Sequence, residues 1–127
     1  MQEIKVTENE LVEWVESYYE EVEKIYGHSK HHSNTPYIHL SDDTSEEIKG
    51  EYCYILNEIV LYYKNIGSIE ELIRTLIHEY QHYLQSPSWM TRYYKMGYDY
   101  NNHPYEIEAN KEEENWIKIW QQVSKNC

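Results

Sequence analysis

Residues 68–87 read SIEELIRTLIHEYQHYLQSP, and the rest of the chain can be read outward from them. Ser68-Ile69-Glu70-Glu71 has the form of a capping box, with Ser68 as N-cap and Glu71 three residues on. Leu72, Ile73, Leu76, Ile77, Tyr80, Tyr83 and Leu84 then cover most of a helical circumference. This predicts a helix that is mostly buried. Pro87 is expected to end it. His78 and His82 fall on the remaining strip with Arg74, Thr75, Gln81 and Gln85. The two histidines stand one turn apart on one face. Imidazole nitrogens so placed can take neighbouring corners of a tetrahedral metal site, and Glu79 can reach a water at an open corner. The string is H-E-x-x-H in helical context.

Upstream, Thr7-Glu8-Asn9-Glu10 is a second capping box and opens a first helix. Leu11, Val15, Tyr18, Val22 and Ile25 form its apolar stripe, and Gly27 stops it. Residues 27–36, with His28, His31 and His32, read as a solvated polar loop. Residues 37–40 suit a short strand, with His39 on a strand face. Residues 41–49 are acidic and turn-like. Gly50 introduces a strand over 51–56 and a second follows over 58–63, both rich in aromatic and β-branched residues. Asn57 marks the turn of a hairpin, and Cys53 reads as a small buried hydrophobe.

Downstream, residues 86–102 read as a loop carrying Trp89, Tyr93, Tyr94, Tyr98 and Tyr100. These aromatics suit a specificity pocket or a cover over the site. A final helix begins near Pro104, which suits the first helical position. Ala109, Trp116, Trp120 and Val123 form its packing stripe.

With 127 residues the chain has room for one domain with one core. Its formal net charge of −12 repels phosphate backbones, so no nucleic-acid partner is expected. The aromatics are skewed to 15 Tyr and 4 Trp with no Phe, so low hydropathy does not imply disorder. Composition alone offers no reason for the skew. Cys53 and Cys127 make no disulfide framework. No apolar leader follows Met1, and no run approaches the roughly 20 apolar residues of a membrane span. A monomer in the cytoplasm, with no membrane partner, is the expectation.

Two histidines do not complete a catalytic metal site, which usually has three protein ligands. In metzincins a glycine follows the second histidine by three and a third histidine by six. Gln85 and Ser88 hold those positions here, which excludes that class. A glutamate from the last helix is the alternative, and Glu106 and Glu108 are the candidates. They lie about 200° apart on a helix, so both cannot ligate easily. Asn110 shares a face with Glu106 and can hydrogen-bond the outer nitrogen of a liganding histidine.

His78-Glu79-x-x-His82 followed by Glu106-Ile107-Glu108-Ala109-Asn110 resembles the gluzincin metallopeptidases. It is most similar to their small single-domain members, the ImmA/IrrE-like and minigluzincin proteins. The resemblance covers about residues 50–112. It implies an α+β minimal zincin fold over 1–127, with an N-terminal helix, a small three-stranded sheet, the motif helix and a glutamate helix. It implies one zinc ion on His78, His82 and Glu106, with Glu79 as general base, and hydrolysis of a protein or peptide substrate. It implies that the strand before the motif helix, roughly 59–63, pairs with extended substrate. A Tyr or His oxyanion donor is also implied. Tyr94, Tyr98, Tyr100 and His103 lie in the right stretch, and Tyr98 and His103 are taken as catalytic. The rival readings are a catalytically silent peptide-binding module and a structural metal closed by a fourth ligand such as His103.

Overall fold

A computed structural model of the chain describes residues 8–125, the side chains of residues 8–10 excepted. Thr7, the Glu10 side chain read as its capping partner, and Cys127 are not described. The elements in chain order are α1 (Glu8–Tyr26), β1 (Tyr37–Ser41), β2 (Gly50–Cys53), β3 (Glu58–Tyr62), α2 (Ile69–Leu84), α3 (Pro87–Lys95), α4 (Pro104–Glu112) and α5 (Trp116–Lys125). The architecture is α+β, with a three-stranded mixed sheet. No described helix is long and apolar enough to cross a membrane.

The motif helix α2 is the axis of the core. The Ser68 hydroxyl accepts from the Glu71 backbone N–H at 3.2 Å, closing the cap read from the sequence. Leu72, Ile73, Leu76, Ile77, Tyr80 and Tyr83 are all buried. They pack with Leu11, Val15, Tyr18 and Val22 of α1, Ile59 and Leu61 of β3, and Ile119 of α5. Each such side chain stabilises the fold by about 1.5–3 kcal/mol relative to exposure. Ile25 departs from its expected stripe and is exposed. Tyr26, one turn beyond Val22, packs on the core instead, and its hydroxyl takes a hydrogen bond from Asn115 at 3.0 Å. Gly27 then ends α1 at φ +74°, the left-handed turn a glycine adopts freely.

Three buried tyrosines hold the 27–36 loop. Tyr19 donates to the Pro36 carbonyl at 2.7 Å and Tyr80 to the Gly27 carbonyl at 2.5 Å. The Tyr83 hydroxyl accepts from the Ser29 N–H at 3.1 Å. Phe would fill the same volume and leave these backbone groups without that partner, a physical use for Tyr that composition did not supply. The loop is less solvated than expected around His32. Its ring stacks on Tyr83, and its Nε2 lies 3.0 Å from the Tyr52 hydroxyl.

The sheet order is β1-β3-β2, with β1 parallel and β2 antiparallel to β3. Two expectations are corrected here. The hairpin strands are shorter, because Tyr54, Ile55 and Leu56 belong to the turn and are exposed, Ile55 at 88%. Cys53 pairs with Glu58, so four residues bridge the strands, and Asn57 takes a left-handed φ of 48°. Cys53 itself is half-buried. The strand expected to meet substrate, 59–63, cannot pair with it: β3 is central and has a neighbour on each side. The edges are β1 and β2, and β2 is the one whose residues line the cavity beside α2. Tyr62 N–H donates to the Lys49 carbonyl at 2.9 Å. By antiparallel alternation, Glu51 and Cys53 then turn their backbone groups to β3, while Gly50 and Tyr52 turn theirs outward.

Gly50 is where β2 crosses α2. A Cβ there would lie 2.6 Å from Thr75 Cγ2 and 3.2 Å from the Val60 carbonyl oxygen. Gly50→Ala should therefore destabilise the protein by about 1–3 kcal/mol through overpacking. Adding Thr75→Ser, which deletes the clashing methyl, should restore part of the loss. Denaturant unfolding of the single and double variants measures both; an unchanged midpoint in Gly50→Ala would refute the close approach.

The region 86–102 is not a plain loop. Pro87 does end α2, and it also begins α3 as first helical residue, with the Ser86 hydroxyl accepting from Trp89 N–H at 3.4 Å. Further on, α4 and α5 are separated by a 3-10 turn over Glu113–Asn115. Such a turn winds about 120° per residue against 100° in an α-helix, which rotates the apolar stripe. Hence Ile119 is buried where Trp120 was expected, and Trp120 is 41% exposed.

Candidate metal centre

The exposed strip left by the apolar face of α2 is covered by α4, whose first turn carries Glu106. His103 caps that helix, its Nδ1 accepting from Tyr105 N–H at 3.0 Å. One oxygen of Glu106, Oε1, lies 3.0 Å from His78 Nε2 and 3.0 Å from His82 Nε2. Each of the three residues offers a ligand atom, and these atoms all lie within 4.8 Å of one another. His78, His82 and Glu106, of which His78 and Glu106 are buried and His82 partly so, form a group that can hold a metal ion.

The outer nitrogens decide how well the group suits a metal. His78 Nδ1 lies 2.8 Å from Glu113 Oε2, and His82 Nδ1 lies 2.7 Å from Gln85 Oε1. The Gln85 amide is oriented by its other end, which donates to the Tyr105 carbonyl at 3.1 Å and to Glu108 at 3.0 Å. Its oxygen must therefore face His82. A carboxylate and an amide oxygen only accept, so both histidines carry their proton on Nδ1. In neutral His78 and His82 the Nε2 lone pair then points at the common centre, the tautomer a metal requires. Two imidazoles and a carboxylate so arranged fit a divalent ion.

Asn110 does not take the outer role expected of it. It stays exposed. Glu113, seven residues after Glu106 and so on the same face, takes that role instead, and Arg74 Nη1 stands 3.9 Å from its other oxygen. Glu108 is exposed and acts on Gln85 rather than on the centre. Gln85 was open to sequence reasoning, since it follows His82 by three and shares its face. Glu113 was open to it as well, since it follows Glu106 by seven residues and an uninterrupted helix keeps the two on one face.

Charge is concentrated here. Burial pulls the His78 pKa down, but hydrogen bonds to Glu106 and Glu113 outweigh it and push it up to about 10. Burial likewise opposes and the Glu106 hydrogen bond outweighs at His82, which is raised. Burial would raise Glu106, yet its hydrogen bonds to His78 and His82 bring it down to about 2. In the metal-free protein at neutral pH, protons thus sit on His78. A metal must displace them, so affinity should rise with pH, about tenfold per unit for each proton released, up to about 10. Calorimetric zinc titrations in buffers of different ionisation enthalpy measure this release. Zero protons released at pH 7 would contradict the pairing of His78 with its two carboxylates.

Glu79 is buried beside Gly50, and its Cγ lies 3.4 Å from where a Cβ on Gly50 would sit. Burial holds its carboxyl above the usual carboxylate range, against the pull of His78 and His82. It lines a cavity of about 510 Å³ together with His78, His82 and Glu106. The residues taken as oxyanion donors lie elsewhere. His103 is fully buried with both nitrogens committed, Nδ1 to Tyr105 N–H and Nε2 to the Met90 carbonyl at 3.1 Å. Tyr98 packs edge-on against Tyr93 and does not line the cavity. Tyr94 and Tyr100 do line it. Comparison with protein-family models, curated proteins and solved structures finds no match.

Proposed function

We propose that this protein is a zinc-dependent metallopeptidase on a minimal zincin fold. The observation that carries the reading is the convergence of His78 Nε2, His82 Nε2 and Glu106 Oε1, with Glu79 beside them on the same cavity. The order of helix, three-stranded sheet, motif helix and glutamate helix supports it. Zinc on these donors would supply Lewis acidity, acidifying a water and polarising a carbonyl.

The chain's own residues supply the rest. Glu79 takes the proton of the attacking water and delivers it to the leaving amine. Its raised pKa suits both halves of that task. Glu113 and Gln85 hold His78 and His82 in the required tautomer. Of the four candidates, Tyr94 and Tyr100 line the cavity, and their hydroxyls would serve a developing oxyanion. The outward backbone groups of Gly50 and Tyr52 offer an extended peptide a strand to pair with.

A structural metal would need a fourth protein ligand. Among the described residues no fourth His, Cys, Asp or Glu joins the group, and His103 is committed to Met90 and Tyr105. The test is hydrolysis of a random peptide pool, followed by mass spectrometry with zinc and with a chelator. Products that depend on zinc are expected. Zinc binding without any product would favour the silent binding module.

A further inference from the structure

Two cavities of unlike character meet at the centre. One, of about 510 Å³, runs toward α3; the other, of about 340 Å³, runs toward Arg74 and Asn110. Both are lined by Ile48, Gly50, His78, Glu79 and Tyr100, so the reacting groups lie at their junction. A chain lying along the open edge of β2 would send neighbouring residues to opposite sides of that junction.

Beyond the shared residues the larger arm is walled by Tyr52, Tyr54, Pro87, Met90 and Tyr94. Its acidic lining residues are Glu51, Glu79 and Glu106, and among the described residues no Lys or Arg lines it. Its size lies within the range of cavities that enclose a bulky group. An aromatic or large aliphatic side chain would bury against the rings and the Met90 thioether. Away from the metal donors, a carboxylate there would meet Glu51 and find no Lys or Arg among the described lining residues to pair with.

The smaller arm is walled by Lys49, Glu71, Arg74, Asn110 and Glu113. Its cations are already paired, Lys49 with Glu71 at 3.7 Å and Arg74 with Glu70 at 2.8 Å. An apolar side chain entering it would strip water from these groups and return nothing. A hydrophilic side chain replaces that water.

Resting on the peptidase reading, we propose that the cleft selects its substrate by two unlike residues in an extended, unfolded polypeptide. One flank of the cleaved bond carries a bulky apolar or aromatic residue, and the other carries a hydrophilic one. Thr91 is exposed on α3, lines the larger arm and is not one of the proposed metal ligands, so its size sets how much of that arm is free.

Mapping the cut sites in a randomised peptide pool with the zinc-loaded protein tests this. At one flank Phe, Tyr, Trp, Leu and Met should exceed Asp and Glu by about tenfold or more. At the other flank hydrophilic residues should exceed apolar ones. Thr91→Trp should move the first preference to Ala and Ser by a similar factor, leaving the second flank and the zinc affinity unchanged. Asn110→Leu should relax the second flank alone. Zinc-dependent cutting without preference, or a Thr91→Trp pattern identical to the parent's, overturns the proposal and leaves the peptidase reading standing. Absence of any zinc-dependent cut overturns both.

Discussion

Glu79→Gln should take up zinc as the parent does and lose about 10²–10⁴-fold in peptide hydrolysis, the usual contribution of a positioned general base. The substitution keeps shape and removes only the capacity to accept a proton. Glu79 is outside the group of three converging ligand atoms, so metal affinity has no reason to fall. Nor has stability. Burial disfavours the ionised carboxylate, and an amide at the same position escapes that penalty. The expected pattern is an inactive protein with parental zinc affinity and an unfolding midpoint at least as high. Calorimetry, thermal unfolding and a peptide assay together distinguish it from a misfolded variant. A Glu79→Gln protein that cleaves peptides at the parent's rate would end the proposed mechanism.

Glu106→Gln should show the opposite pattern, with the fold kept and zinc affinity lost. Glu106 Oε1 is the one atom that meets both Nε2 atoms, and it brings the negative charge that offsets a divalent ion. The loss should exceed the roughly 10–100-fold that removing an outer partner costs. Glu113→Gln supplies that comparison directly, because it touches His78 only from behind. Competition titrations against a chelator of known affinity should rank the three proteins parent, Glu113→Gln, Glu106→Gln. An equal loss in both variants would mean that Glu106 is no closer to the metal than Glu113.

What was readable in the sequence was local. The Ser68 cap, the buried face of α2, the glycine stop after α1 and the proline start of α4 each follow from a few neighbouring residues. The juxtaposition of Glu106 with the two histidines was reached through a resemblance, and the structure brings the same residues together. The departures are all non-local or cumulative. The resemblance implies substrate pairing along 59–63, and nothing within those residues says that β1 will occupy their far side. Tyr54-Ile55-Leu56 has strand composition, yet the Cys53–Glu58 pairing leaves it in the turn. Three residues of tighter winding at 113–115 turned the last helix enough to exchange Trp120 for Ile119. Pro87 carried two meanings, and only its role as a stop was read.

The tyrosine hydroxyls that hold residues 27–36 have a bearing on how the molecule opens. Tyr80 and Tyr83 flank His82 on α2, and they grip Gly27 and Ser29 from within the core. The Ser29 amide is therefore tied to the helix that carries both histidines, although it lies in irregular chain. Amide exchange at Ser29 should be slow and should speed up only when α2 itself unfolds. The α3 wall, which buries no residue, should exchange long before either. The centre would then keep its ligands in place while one side of its cleft breathes.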